Sequence, residues 1–219
     1  MFASPGNVAA YFQPLVSLGA RRIIGFTAHS LRPGDEILRA ACCIAAQWPD
    51  GITLGVELAP ERWRNPVVGL QVLSALNESG LSPGRLELEI AEETLARDPA
   101  PVLQTIERVR HAGIMVALTG CGRVAQTRVS AALFDTIKFS PGLVQRLGHD
   151  AKSDVIAEVL IRVADQYGVV TAADGITTDA QVDVLNAKGC AEGQGSLFGK
   201  AIPAADIFDL LRAPSVAVA

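Results

Sequence analysis

The sequence has no apolar stretch of the roughly 20 residues that a bilayer-spanning helix needs. Its first residues, MFASPGNVAAYFQP, lack a basic region followed by an apolar run, so no secretory signal is read there. These two absences lead to the expectation of a cytosolic domain with no membrane contact of its own. The segment begins almost at its first strand, so a longer parent chain stays open. Basic residues are not in excess. The net charge is −4, which argues against binding of a nucleic-acid polymer, while leaving room for a local basic pocket. There are four cysteines, Cys42, Cys43, Cys121 and Cys190, and their spacing fits no zinc pattern. They are read as reduced thiols, mostly buried. No internal repeat or low-complexity linker divides the 219 residues, so one domain over 1–219 is expected, with its core at about 11–211.

What is present is core material. Hydrophobic residues make up 49% and charged residues 19%, which excludes a disordered chain. Eight short runs rich in β-branched residues begin at Tyr11, Arg22, Ile52, Arg85, Ile114, Asp135, Val169 and Gly193. Five segments with helical spacing lie between them: 35–48, 67–80, 100–113, 152–168 and 179–189. Gly80, Gly113 and Gly168 suit left-handed helix stops, and Asp98 and Ser153 suit N-caps. Strand–helix alternation implies a parallel sheet with helices outside. Eight strands in this length favour closure into a (β/α)8 barrel. The link LGARR between the first two strands leaves no room for a helix, so that pair should be an antiparallel hairpin.

In such barrels chemistry sits where strands end. The strand ends are Thr27, Glu57, Glu89, Thr119, Lys138, Asp174 and Gln194, which gathers three carboxylates, a lysine and an amide on one rim. The plain alternative is that polar residues simply end strands beside solvent.

The same strand ends carry a family pattern. YFQPLV at Tyr11 matches Y-x-Q-P-I-V, VELAP matches V-N-L-S-P, and LEIAE matches L-E-I-T-E. KFS at Lys138 stands for K-I-D, ADGITT at Ala173 for A-E-G-V-E-T, and GCAEGQGSLFGKAIP for G-C-D-x-x-Q-G-Y-L-F-x-x-P-x-P. From Tyr11 to Leu211 the chain resembles the EAL domains, bacterial cyclic di-GMP phosphodiesterases. The resemblance implies a TIM-like barrel with an antiparallel first strand. It also implies a site where two divalent metals, Mg²⁺ or Mn²⁺, bind the scissile phosphate and activate water. A lysine there stabilises the nucleophile or the developing charge.

Against that pattern the resemblance implies heavy erosion. E-A-L is TAH, which puts Thr27 where a ligating Glu stands and His29 where Leu stands. The third-strand Asn is Glu57. D-D-F-G is TGCG, which removes both bridging Asp positions at Thr119 and Gly120. The second Glu of A-E-G-V-E-T is Thr177, and its first is the shorter Asp174. The loop from Gly122 to Lys138 lacks the run that links the metal site to the dimer contact in active members. Glu89, Lys138 and Gln194 remain.

Two dications roughly 3.5–4 Å apart need bridging anionic oxygens, and neutral hydroxyls at Thr27 and Thr119 do not supply that charge. No two-metal centre and no cofactor are expected; Mg²⁺ or Mn²⁺ would enter only with residual activity. A single metal on Glu57, Glu89 and Asp174, with Gln194 nearby, is the alternative. Glu89, Lys138 and Asp174 are then relics of a catalytic set. Gln13, Arg32, Lys138 and Gln194 are the candidate ligand contacts, and Lys138 is expected within salt-bridge distance of Glu89 or Asp174 as a counter-ion.

Trp48 and Trp63 are expected to pack helices. His111 and His149 are expected to be solvated. Three functions are compatible with this pattern: a non-catalytic signalling module engaging a protein partner or a dimer, a cyclic di-GMP receptor without cleavage, and a weak phosphodiesterase.

Overall fold

The computed structural model describes residues 10–30, 36–97, 99–122 and 131–212. Arg32, the proposed cap Asp98 and most of the loop between Gly122 and Lys138 lie outside them. In chain order the elements are β1 (Ala10–Ser17), β2 (Arg22–Ser30), α1 (Glu36–Ala45), β3 (Thr53–Glu57), α2 (Pro60–Trp63) and α3 (Val68–Ser79). There follow β4 (Leu86–Ala91), α4 (Glu92–Arg97), α5 (Pro99–His111), β5 (Met115–Cys121), β6 (Thr136–Phe139), α6 (Pro141–Val144) and α7 (Ala151–Tyr167). The chain continues through β7 (Val170–Ala173), α8 (Asp179–Lys188), β8 (Glu192–Gly193), β9 (Ile202–Pro203) and α9 (Ile207–Arg212).

The strand order β2-β3-β4-β5-β6-β7-β8-β1-β9, with β1 also paired to β2, closes eight strands into a barrel. All neighbours from β2 to β8 are parallel, and β1 runs antiparallel to β2, β8 and β9. The fold is therefore the expected barrel with a reversed first strand. The hairpin link turns at Arg21, which holds φ 47.

Alternation of side chains explains the layers. On β4, Leu86, Leu88 and Ile90 are buried against the helices, while Glu87 and Glu89 point into the lumen. Ile137 and Phe139 face outward from β6, with Thr136 and Lys138 inward. The outward apolar side chains join the buried faces of α1, α3, α5, α7 and α8 in one core. Trp48 packs edge-on to Phe12 with ring centroids 5.4 Å apart, and Trp63 is fully buried, so both tryptophans are packing residues.

Three expectations change. Ser153 is not the cap of α7: Asp150 is, and its carboxylate accepts from the amides of Lys152 and Ser153. A carboxylate at the helix N-terminus also meets the positive end of the helix dipole, and the Ser153 hydroxyl donates to it at 2.6 Å. The last barrel strand is only Glu192–Gly193, shorter than the run read from Gly193. Beyond it the chain pairs a ninth strand against β1. The helix stops hold, with φ 74, 81 and 67 at Gly80, Gly113 and Gly168. Among the described residues no helix is long and apolar enough to cross a membrane.

Candidate functional site

The parallel register carries the strand-end residues to one mouth of the barrel. Thr27 is level with Gly55, Glu57 with Glu89, Glu89 with Ala117, and Lys138 with Ala172. Glu87, Glu89, Lys138, Thr27 and Gln194 are buried below the mouth, Asp174 is half-buried at it, and Glu57 and His29 are exposed.

The centre of the buried layer is the Lys138 ammonium. It lies 2.6 Å from Glu89 Oε1 and 3.0 Å from Glu87 Oε1. The expected pairing is thus met at Glu89, and the second partner is Glu87 rather than Asp174. Thr136 donates its hydroxyl to the other oxygen of Glu87 at 2.7 Å. The Thr27 hydroxyl lies 2.9 Å from Gln194 Oε1 and 3.3 Å from Glu89 Oε1, and its single proton serves one acceptor at a time. Gly55 makes the room: a β-carbon there would stand 2.6 Å from Glu89 Oε1 and 3.1 Å from Thr27 Oγ1. Gln194 is aimed by the strand end, because Gly195 lies so close to Ile176 that a β-carbon would fall 2.1 Å from the Ile176 carbonyl oxygen.

Burial alone would lower the lysine pKa. The charges of Glu89 and Glu87 and their hydrogen bonds outweigh it and hold the ammonium above the ordinary lysine range. Glu192, on β8, is pushed up to about 7 by burial first and by Glu87 second, with Lys138 opposing. Glu57 opens to solvent, yet the walls of the mouth still withdraw water from its carboxyl. That desolvation, then Glu89, raises its pKa; Asp174 adds to the rise, and His29 and Lys138 oppose it.

Glu87 and Glu192 were not singled out in the sequence, although period-two alternation puts Glu87 on the side of Glu89 and Glu192 on the side of Gln194. Gln13 stands beside Gln194: the Gln194 amide reaches Gln13 Oε1 at 3.5 Å, and Gln13 Nε2 reaches the Gly199 carbonyl at 3.4 Å. Thr177 is not at the mouth chemistry. Its amide and hydroxyl both donate to Gln181 Oε1, next to the capping box that starts α8.

The donor set is a poor match for a hard dication, which takes several oxygen ligands. Glu89 is engaged by Lys138 and Gln194 by Thr27. Among the described residues, no three His, Cys, Asp or Glu side chains are arranged to hold a metal ion.

Comparison with known proteins gives the class. The family model described as "EAL domain" matches residues 34–201, and the chain belongs to that family. The chain is 32% identical over 184 residues to protein y4lL of Sinorhizobium fredii, covering 83% of this chain and 22% of that protein. It is 26% identical over 181 residues to the bifunctional diguanylate cyclase/cyclic di-GMP phosphodiesterase MucR of Pseudomonas aeruginosa, covering 78% and 26%. The chain therefore spans about a fifth to a quarter of the length of these relatives.

Among solved structures, the EAL domain of Mycobacterium smegmatis DcpA superimposes with a TM-score of 0.87 at 23% identity, covering 97% of this chain and 99% of that one. A Klebsiella pneumoniae protein in complex with manganese and cyclic di-GMP gives a TM-score of 0.80 at 21% identity, covering 93% and 57%.

Proposed function

We propose that this EAL domain does not hydrolyse cyclic di-GMP and works as a non-catalytic module in cyclic di-GMP signalling, engaging a protein partner or a second copy. The observation that carries this reading is the Lys138 ammonium seated between Glu89 and Glu87. An internal cation already neutralises the carboxylate that a metal would need. The bridging charge is missing as well, with Thr119 and Gly120 at the end of β5. Glu89, Lys138 and Asp174 are read as relics, and no cofactor is assigned. The segment is read as one domain working in the cytoplasm.

The test is incubation of the pure protein with cyclic di-GMP and Mg²⁺ or Mn²⁺. No linear product is expected. Metal-dependent product that a Glu89→Ala control lacks would reverse the reading.

A second reading, a receptor that binds cyclic di-GMP without cleavage, is favoured by Gln13 and Gln194. Their mutual bond of 3.5 Å is long, so both amides keep hydrogen-bonding capacity for a ligand at the mouth. A Klebsiella pneumoniae protein of the same fold is known in complex with manganese and cyclic di-GMP, which supports this reading. Calorimetric titration with cyclic di-GMP, with and without Mg²⁺, separates the two: metal-independent heat that is lost in Gln194→Ala supports the receptor.

A further inference from the structure

A line of hydrogen bonds runs from the buried lysine to the edge of the mouth. Lys138 donates to Glu89 Oε1 at 2.6 Å. The Thr27 hydroxyl stands next, 2.9 Å from Gln194 Oε1 and 3.3 Å from Glu89 Oε1. Gln194 Nε2 then reaches Gln13 Oε1 at 3.5 Å, and Gln13 Nε2 reaches the Gly199 carbonyl at 3.4 Å. Thr27 and Gln194 are buried and Gln13 is half-buried. Thr27 and Gln13 are level with each other across the β1–β2 hairpin, so the line crosses from one strand to the other.

A side-chain amide donates at one end and accepts at the other, so the line has a direction. Two directions are open to it. In one, Thr27 donates to Gln194, and both amides turn their N–H ends toward the mouth. In the other, Thr27 donates to Glu89, Gln194 turns its N–H end inward, and the amide carbonyls face the mouth. A carboxylate is ordinarily the stronger acceptor. Here Glu89 Oε1 already accepts from Lys138 at 2.6 Å. The Gln194 oxygen at 2.9 Å is also within the usual O–H···O range of about 2.5–3.0 Å, and the Glu89 oxygen at 3.3 Å is outside it. The first direction therefore wins. The β-branched side chain of Thr27 is stiff and holds its hydroxyl in place. Burial at Gln194 means that water does not make good the loss of that donor.

We infer that Thr27 is a positioning residue: it fixes the polarity of Gln194 and Gln13, so that the mouth offers amide N–H groups and takes the acceptor edge of a nucleotide. The ligand in this inference rests on the receptor reading above; the orientation of the amides does not.

The experiment is NMR on the full chain, with the side-chain amide protons identified by their loss in Gln194→Met and Gln13→Met. In the parent, the nuclear Overhauser contacts of the Gln194 amide protons should be strongest to the Gln13 side chain. Thr27→Val keeps the shape and removes the donor. There the amide should turn, and its strongest contacts should move to the methyl groups of residue 27. Thr27→Ser keeps the hydroxyl and should retain the parental pattern. Affinity for cyclic di-GMP should fall about threefold to tenfold in Thr27→Val, as for one lost hydrogen bond, and recover in Thr27→Ser. A parent whose Gln194 amide protons already face the Thr27 methyl group would overturn the assignment, whether or not Thr27→Val folds. So would parental contacts, or parental affinity, in Thr27→Val. A parent that binds no cyclic di-GMP would end the receptor reading, and the amide contacts would still decide the polarity.

Discussion

The inside of the barrel and its rim use the same residue types to different ends. Inside, Glu87 and Glu89 are dry, and each lies within 3.0 Å of one lysine. At the rim, Glu57 and Asp174 face water, and neither makes a direct ion pair among the described residues. Water reaches the rim charges and screens them in part, so they cost less than they would inside, although the mouth still raises the Glu57 pKa. The inner carboxylates have no such help, and a single cation holds them together. Charge pairing therefore matters to stability inside the barrel and much less at its rim.

The largest expected effect comes from removing the cation. Lys138→Met leaves two buried carboxylates without compensation, which costs on the order of 3–5 kcal/mol at neutral pH. The loss should shrink in acid, where the need for a counter-ion falls. Denaturant melts across pH give the comparison. A variant as stable as its parent at every pH would mean that the inner layer is as well solvated as the rim.

The next effect tests the third inner acid. The Glu192 pKa is raised from 4.5 to about 7, mainly by burial. The folded state therefore holds this proton more tightly than the unfolded chain does. Its contribution to stability is full below the unfolded value and is lost as pH rises through the folded one. Glu192→Gln should flatten the fall in stability over that window and gain roughly 1–3 kcal/mol above it. An unchanged pH slope would move Glu192 to the wet side of the comparison.

The smallest effect is expected at the rim. Glu57→Gln should change stability by less than about 0.5 kcal/mol, and toward greater stability at neutral pH, because burial and Glu89 disfavour the charged form of this largely exposed carboxyl. Urea midpoints that shift by as much as those of Lys138→Met would erase the distinction between the layers.

Much of this was legible in the sequence, and the failures have physical causes. RLELEIA announces a strand with apolar residues on one side and acids on the other, and the short LGARR link dictates the reversed hairpin. Lys138 and Glu89 were readable as partners because both close inward registers. Strand ends point to the rim and so do not mark Glu87 or Glu192, whereas the long lysine side chain reaches Glu87 one layer deeper. The cap of α7 was misplaced because Asp150 and Ser153 are both capping residues, and only the chain direction before Lys152 distinguishes them. The ninth strand carries no pattern, as two residues of β9 pair with β1 through backbone alone.

In the proposed function Lys138 takes the charge of Glu89 that a metal would otherwise use. The direct test is titration of the metal-free protein with Mn²⁺, followed by the electron paramagnetic resonance signal of the free ion. The signal should grow in proportion to added Mn²⁺ and be the same for the parent and for Glu89→Ala. Stoichiometric loss of free Mn²⁺ in the parent, abolished by Glu89→Ala, would contradict it.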